Sequence, residues 1–159
     1  MTVQVGDRIP ETVVTTMTEN GPNPLTTTDY FGGRRVVLFS VPGAFTPTCS
    51  ARHLPGFVDH VGDIKGKGID AIACTAVNDV FVMDAWGKSA GATDVDMLAD
   101  GNGEFVKALG LELDATGFGM GHRGQRFALV ADDGVITHLF VEEGGDFKVS
   151  SAEHVLGAI

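Results

Sequence analysis

The sequence predicts an α/β sandwich, a mixed central β-sheet flanked by helices. Three observations carry that prediction. Apolar, β-branched runs at 35–41 and 69–77 alternate with helix-compatible stretches at 50–58 and 79–87, the rhythm of strand–helix–strand units. Asp132-Asp133-Gly134 then joins two late strand candidates, a strong hairpin signal. Ser150-Ser151-Ala152-Glu153 resembles a capping box opening a last helix.

Taken in order, Thr12-Val13-Val14-Thr15-Thr16-Met17 is a short strand, and Glu19 to Pro24 reads as a turn from its Gly, Asn and Pro content. Thr26 to Phe31 holds a helical turn before Gly32-Gly33. The run at 35–41 is a buried strand, and Pro42-Gly43 punctuates its end. Leu54, Phe57 and Val58 have helical spacing, and Gly62 to Gly68 marks the way out of that helix. Ile69 to Val77 is a second buried strand, followed by a helix from Asp79 to Gly87. Val95 to Ala99 is a third short strand, and Glu104 to Leu109 a short helix closed by Gly110. Arg126–Val130 and Val135–Val141 form the hairpin.

At 159 residues the chain suits one domain over 1–159, with no linker, repeat or low-complexity tract. Its net charge of −10 argues against broad nucleic-acid binding and against an anionic membrane surface. No apolar run approaches membrane-spanning length, and no basic-then-apolar leader opens the chain. Two cysteines are not a secreted disulfide framework. A reducing, cytoplasmic compartment is the expectation.

The chemistry concentrates in Pro42-Gly43-Ala44-Phe45-Thr46-Pro47-Thr48-Cys49. Cys49 falls just past the C-terminal end of a strand and near the start of a helix. Free N–H groups and the positive end of a helix favour thiolate, the nucleophilic form. The Thr46 hydroxyl can fold back toward the sulfur, and Pro42 can shield the site from water. No C-x-x-C partner traps the sulfur. Nor is there a P-loop, a dinucleotide glycine fingerprint or a zinc-ligand pattern. Gly117-Phe118-Gly119-Met120-Gly121 reads as a flexible loop.

Pro42, Thr46 and Cys49 match the P-x-x-x-T-x-x-C signature of peroxiredoxins, and PGAFTPTCS resembles their type II, peroxiredoxin-5-like branch. The resemblance continues through HLPGF at 53–57, VNDVFVMDAWGK at 77–88, RFALVADDG at 126–134 and FKVSSAEHVL at 147–156. It implies a thioredoxin-like fold and a thiol-dependent peroxidase acting on hydrogen peroxide and small organic hydroperoxides, without metal or organic cofactor. It implies Cys49 as nucleophile, Thr46 as a hydrogen-bonding partner of peroxide and sulfur, and Arg126 as the cation that stabilises thiolate and departing oxygen. The residues alone rank Arg123 equally with Arg126; the resemblance selects Arg126. Pro42 and Gly43 would shape the peroxide pocket, with backbone N–H groups of Gly43 and Cys49 as donors. Phe45 and Phe118 are candidate walls. His53, one turn beyond Cys49, reads as a packing or hydrogen-bonding residue that can also tune the sulfur.

Cys74 has two readings: a buried core thiol in an apolar strand, or a resolving cysteine for sulfenic Cys49. The tail Phe147-Lys148-Val149-Ser150-Ser151 lacks the C-terminal resolving cysteine of animal peroxiredoxin-5 proteins. An external thiol is therefore expected to recycle the enzyme, glutathione with glutaredoxin ahead of thioredoxin. The resemblance also implies a homodimer. The rival functions are a peroxide sensor or relay that passes oxidation from Cys49 to a client, and a holdase on the same fold.

Overall fold

The computed structural model describes all 159 residues. The strands are β1 (Val13–Thr18), β2 (Gly21–Thr26), β3 (Arg35–Ser40), β4 (Ala71–Ala76), β5 (Asp96–Ala99), β6 (Glu112–Asp114), β7 (His122–Gly124), β8 (Phe127–Asp132) and β9 (Val135–Val141). The helices are α1 (Thr27–Phe31), α2 (Leu54–Asp59), α3 (Val61–Lys65), α4 (Val80–Ser89), α5 (Glu104–Leu109) and α6 (Ala152–Ala158). Seven strands form one sheet in the order β2-β1-β5-β4-β3-β8-β9. β3, β4 and β5 are parallel, while β1, β2, β8 and β9 pair antiparallel. The sheet is mixed and helix-flanked, as the alternation of runs predicts.

Strand alternation divides the core into two layers. Val37 and Phe39 of β3, Ile72 and Cys74 of β4, and Ala128 and Val130 of β8 face one layer. That layer is covered by Leu54 and Phe57 of α2, Met83 and Trp86 of α4, and Val155 of α6. Val36, Leu38, Ala71, Ala73 and Leu129 face the other layer, against Tyr30, Phe31, Phe105 and Leu109. Cys49 belongs to the first layer.

Several elements depart from the sequence reading. Glu19–Pro24 is not only a turn, because β2 begins at Gly21 and contains Pro22 and Pro24. Both prolines have the same parity on an edge strand, so neither imino nitrogen is asked to donate to β1. The exit glycines at 62 and 66 lie within or just after α3, a helical turn that follows a break at His60. A small hairpin of β6 and β7 frames 117–121, which holds a 3₁₀ turn rather than only loop. The last helix is capped by Ser151, whose hydroxyl accepts from the His154 N–H; Ser150 is spent elsewhere. Asp133 and Gly134 both have positive φ, 49° and 77°, as a two-residue type I′ hairpin turn requires.

The helix carrying Cys49 is pinned from above by α4. Trp86, 1% exposed, donates its Nε1–H to Ser50 Oγ at 3.0 Å. Trp86→Phe removes that bond and should destabilise the protein by about 1–3 kcal/mol. Urea unfolding should show the lower midpoint. Hydrogen exchange should quicken over 49–53 more than in β8, and an even change across both segments would contradict the pinning.

Candidate active site

β3 brings the chain to the sheet's C-terminal edge, and helical backbone resumes at Pro47. Cys49–His53 then forms a π-helical turn in which the Leu54 N–H donates to the Cys49 carbonyl. The cause lies at Pro55, which has no N–H for Ala51 and crowds the carbonyl four residues back. A wider turn relieves both demands. It also leaves Cys49 and His53 side by side, each fully buried.

Arg126 enters at the same end of the sheet, immediately before β8, whose first residue Phe127 pairs with Ser40 at the end of β3. Its Nη2–H donates to Cys49 Sγ at 3.1 Å, and its Nη1–H to His53 Nδ1 at 2.9 Å. His53 Nε2 lies 2.9 Å from the Ser150 carbonyl, which can only accept. The proton of the neutral ring therefore sits on Nε2, leaving the Nδ1 lone pair for Arg126. Burial, reinforced by the Arg126 charge, pushes the His53 pKa down to about 3. Phe39, Phe57 and Phe147 surround the ring, with centroids 4.9, 5.7 and 5.0 Å away.

Arg123 is elsewhere. Its guanidinium donates to the carbonyls of Met120, Val77 and Pro42 at 2.8, 3.2 and 3.5 Å. It gathers the loops beside the sulfur instead of contacting it. The Ala44 N–H donates to Asn78 Oδ1 at 2.9 Å and ties the same two loops together.

Thr46 differs from expectation. Its hydroxyl donates to the Gly43 carbonyl at 2.7 Å, closing the loop and turning its oxygen lone pairs, not its proton, to the surroundings. Gly43 N–H is bonded to no backbone carbonyl and remains a free donor. A side chain at Gly43 would come within 3.1–3.2 Å of Met120, Arg123 and Thr46. Pro42 is half-buried beside it. Phe45 is 56% exposed, at a φ of 63°, and Phe118 is 85% exposed. Neither closes over the sulfur within a single chain.

Cys74 is fully buried in the middle of β4, paired with Phe39 of β3. Burial, with the neighbouring Cys49 as a lesser cause, raises its pKa well above the ordinary thiol value. Both cysteines are free thiols. The reading of the residues passed over Glu142. It is 6% exposed, and its Oε2 accepts from the Ser150 hydroxyl at 2.6 Å and from the N–H groups of Lys148, Val149 and Ser150. Burial opposes its charge, but these donors prevail and lower its pKa. No local motif announces this contact.

His53 has a consequence for acid stability. Its folded pKa of about 3 lies below the ordinary 6.5. Below 6.5 the unfolded chain takes up a proton that the folded chain refuses, so stability falls as pH drops toward 3. The steepest part of this loss is about 1.4 kcal/mol per pH unit. Urea unfolding between pH 7 and 3 should show His53→Gln with a shallower acid loss than the parent. Parallel curves would contradict the buried neutral ring.

The redoxin family pattern matches residues 4–156. Peroxiredoxin-2E-2, chloroplastic, of Oryza sativa subsp. japonica is 48% identical across 99% of this chain and 73% of its own length. Peroxiredoxin-2B of Arabidopsis thaliana is 46% identical across 99% of this chain and 98% of its own. The crystal structure of reduced Prx3 from Vibrio vulnificus in complex with H2O2 superposes with a TM-score of 0.96 at 47% identity, covering 98% of each chain. A chain alike from end to end in sequence, on the same thioredoxin-like fold, belongs to the redoxin family as one of its peroxiredoxins, the thiol-dependent peroxidases.

Proposed function

We propose that Cys49 is the peroxide-reacting sulfur, with Arg126 as its catalytic cation and Thr46, Gly43 and Pro42 as the peroxide pocket. The observation that carries this is the 3.1 Å contact from Arg126 Nη2 to Cys49 Sγ. A hydrogen bond from a cation is stronger to thiolate than to thiol. The sulfur attacks the terminal peroxide oxygen; an S–O bond forms as the O–O bond breaks. Sulfur loses two electrons and becomes sulfenic acid, while the leaving oxygen takes a proton and departs as water or alcohol. The guanidinium and the free Gly43 N–H lie near the charge that develops on that oxygen. The Thr46 oxygen can accept the peroxide O–H. Phe45 stands at the loop's outer edge.

The whole chain, 1–159, acts as one domain in this reading, since strands drawn from 13 to 141 build one sheet around the site. The substrates are hydrogen peroxide and small organic hydroperoxides. The sulfenic acid is recycled by an external thiol, glutathione with glutaredoxin ahead of thioredoxin. The burial of Cys74 within β4 supports this, because a Cys49–Cys74 bond would have to form inside the core. External recycling suits a reducing, cytoplasmic setting. A second copy of the chain is the proposed partner, with the exposed Phe45 and Phe118 on the face it would cover.

Cys49→Ser should abolish turnover with the fold intact by circular dichroism; near-normal turnover would remove Cys49 from this role. Arg126→Gln should slow Cys49 oxidation, followed by stopped flow, by roughly ten- to more than a hundredfold, the equivalent of one charged hydrogen bond. Oxidation at the parent rate would exclude Arg126 as the cation. Folded Cys74→Ser should keep most of its glutathione–glutaredoxin turnover. A dominant Cys49–Cys74 disulfide by mass spectrometry, with turnover lost in that variant, would make Cys74 the resolving residue. Stoichiometric oxidation without turnover under every thiol would point to a sensor instead.

A further inference from the structure

We propose that Glu142 is a positioning residue for the peroxide reaction, holding Arg126 on the Cys49 sulfur through Ser150 and His53. This rests on the reading of Cys49 as the reacting sulfur.

The starting observation is a register. Phe127 pairs with Val141, and the Glu142 N–H donates to the Arg126 carbonyl at 3.0 Å. Glu142 and Arg126 are therefore cross-strand neighbours, a buried anion beside a buried-facing cation. Such a pair would ordinarily form a salt bridge. Here it does not, because the ion pairs of the protein are His60–Asp63, Lys88–Asp84 and Lys148–Asp146. The Glu142 carboxylate instead turns into the segment leading to α6. One oxygen, Oε2, accepts three successive backbone N–H groups, at 2.8, 3.0 and 2.8 Å, and the Ser150 hydroxyl at 2.6 Å. Successive N–H groups converging on one oxygen make a backbone anion nest.

The arrangement has two effects on the sulfur. First, the nest satisfies the carboxylate, so it does not compete with Cys49 for the guanidinium. Second, it fixes the segment whose carbonyl and aromatic ring hold His53. The Ser150 carbonyl accepts from Nε2–H, and Phe147 packs edge-on against the imidazole. Arg52 lies over the outer face of Phe147, 4.6 Å from its centroid, and closes that side. With Nε2 committed as donor, Nδ1 must accept, and Arg126 Nη1 is the group it accepts from. If the Ser150 carbonyl moved away, the ring proton could shift to Nδ1. Two N–H donors would then face each other, and the guanidinium would be driven off its bond to sulfur. In the wild-type order, each contact leaves the next group only one role.

A merely structural clamp predicts lost stability and nothing particular at the imidazole. The decisive experiment combines ring ¹⁵N NMR of His53 with peroxide oxidation of Cys49, in the full-length protein. Wild type should show His53 neutral at pH 7 with its proton on Nε2. Folded Glu142→Ala should show a mixture of ring tautomers and oxidise about tenfold more slowly, the rate equivalent of one hydrogen bond. Glu142→Gln, with an amide oxygen for the same donors, should recover most of the rate. In an Arg126→Gln background, adding Glu142→Ala should change the rate less than about twofold, because the group it positions is gone. Oxidation of Glu142→Ala at the wild-type rate, an equal further loss in Arg126→Gln, or an unchanged single tautomer each overturns the proposal. Should Glu142→Ala fail to fold, the wild-type ring decides: a proton on Nδ1 at pH 7 refutes the chain of contacts. A wild type that does not consume peroxide refutes the reading of Cys49 instead, and the tautomer still tests the contacts alone.

Discussion

One hydrogen bond joins the two parts of the proposed site, that from Arg126 to Cys49. Its donor and acceptor lie 77 positions apart in the chain. It exists only because β3 and β8 are neighbours in the sheet, with Ser40 opposite Phe127. The strand that ends before Cys49 and the strand that begins after Arg126 are thus paired at the same edge. The contact between cation and sulfur is a by-product of strand order. Loosening that pair would separate cation from sulfur.

Much of the scaffold was legible. Apolar runs, the type I′ turn signal and the glycine closing α5 found the principal strands and helices. Where the reading slipped, the reason is physical. Pro22 and Pro24 look like turn residues because proline cannot serve a central strand, but an edge strand tolerates it every second position. β6 and β7 are three residues each and too short for a periodicity. Among the proposed site residues, Cys49 and Thr46 could be reached from their place between a strand and a helix, while Arg126 was readable only through a family signature. The residues alone could not separate Arg123 from Arg126; the signature selects Arg126, and of the two it is Arg126 that donates to the sulfur.

Glu142 was hidden for a sharper reason. Counting outward from the Asp133-Gly134 turn pairs Asp132 with Val135, and on that count residue 126 faces 141. The real pairing shifts by one between Val130 and Ala131, where Thr137 is the extra residue and its hydroxyl donates to the Val130 carbonyl at 3.2 Å. That irregularity brings Glu142, not Val141, beside Arg126. A bulge is a one-residue event with large consequences for which side chains meet, and a single sequence carries almost no trace of it.

The prolines of β2 bear on the protein's behaviour in a crowded solution. An open sheet edge is a template: a foreign strand can dock along it, exchanging donors for acceptors and seeding a growing fibre. At this edge the outward positions 22 and 24 offer carbonyls but no N–H groups. An approaching strand would have to bury its own donors against acceptors while leaving its acceptors unmet. The edge is therefore mismatched as a template, and the chain resists growth from that side without spending a single charged side chain on the task.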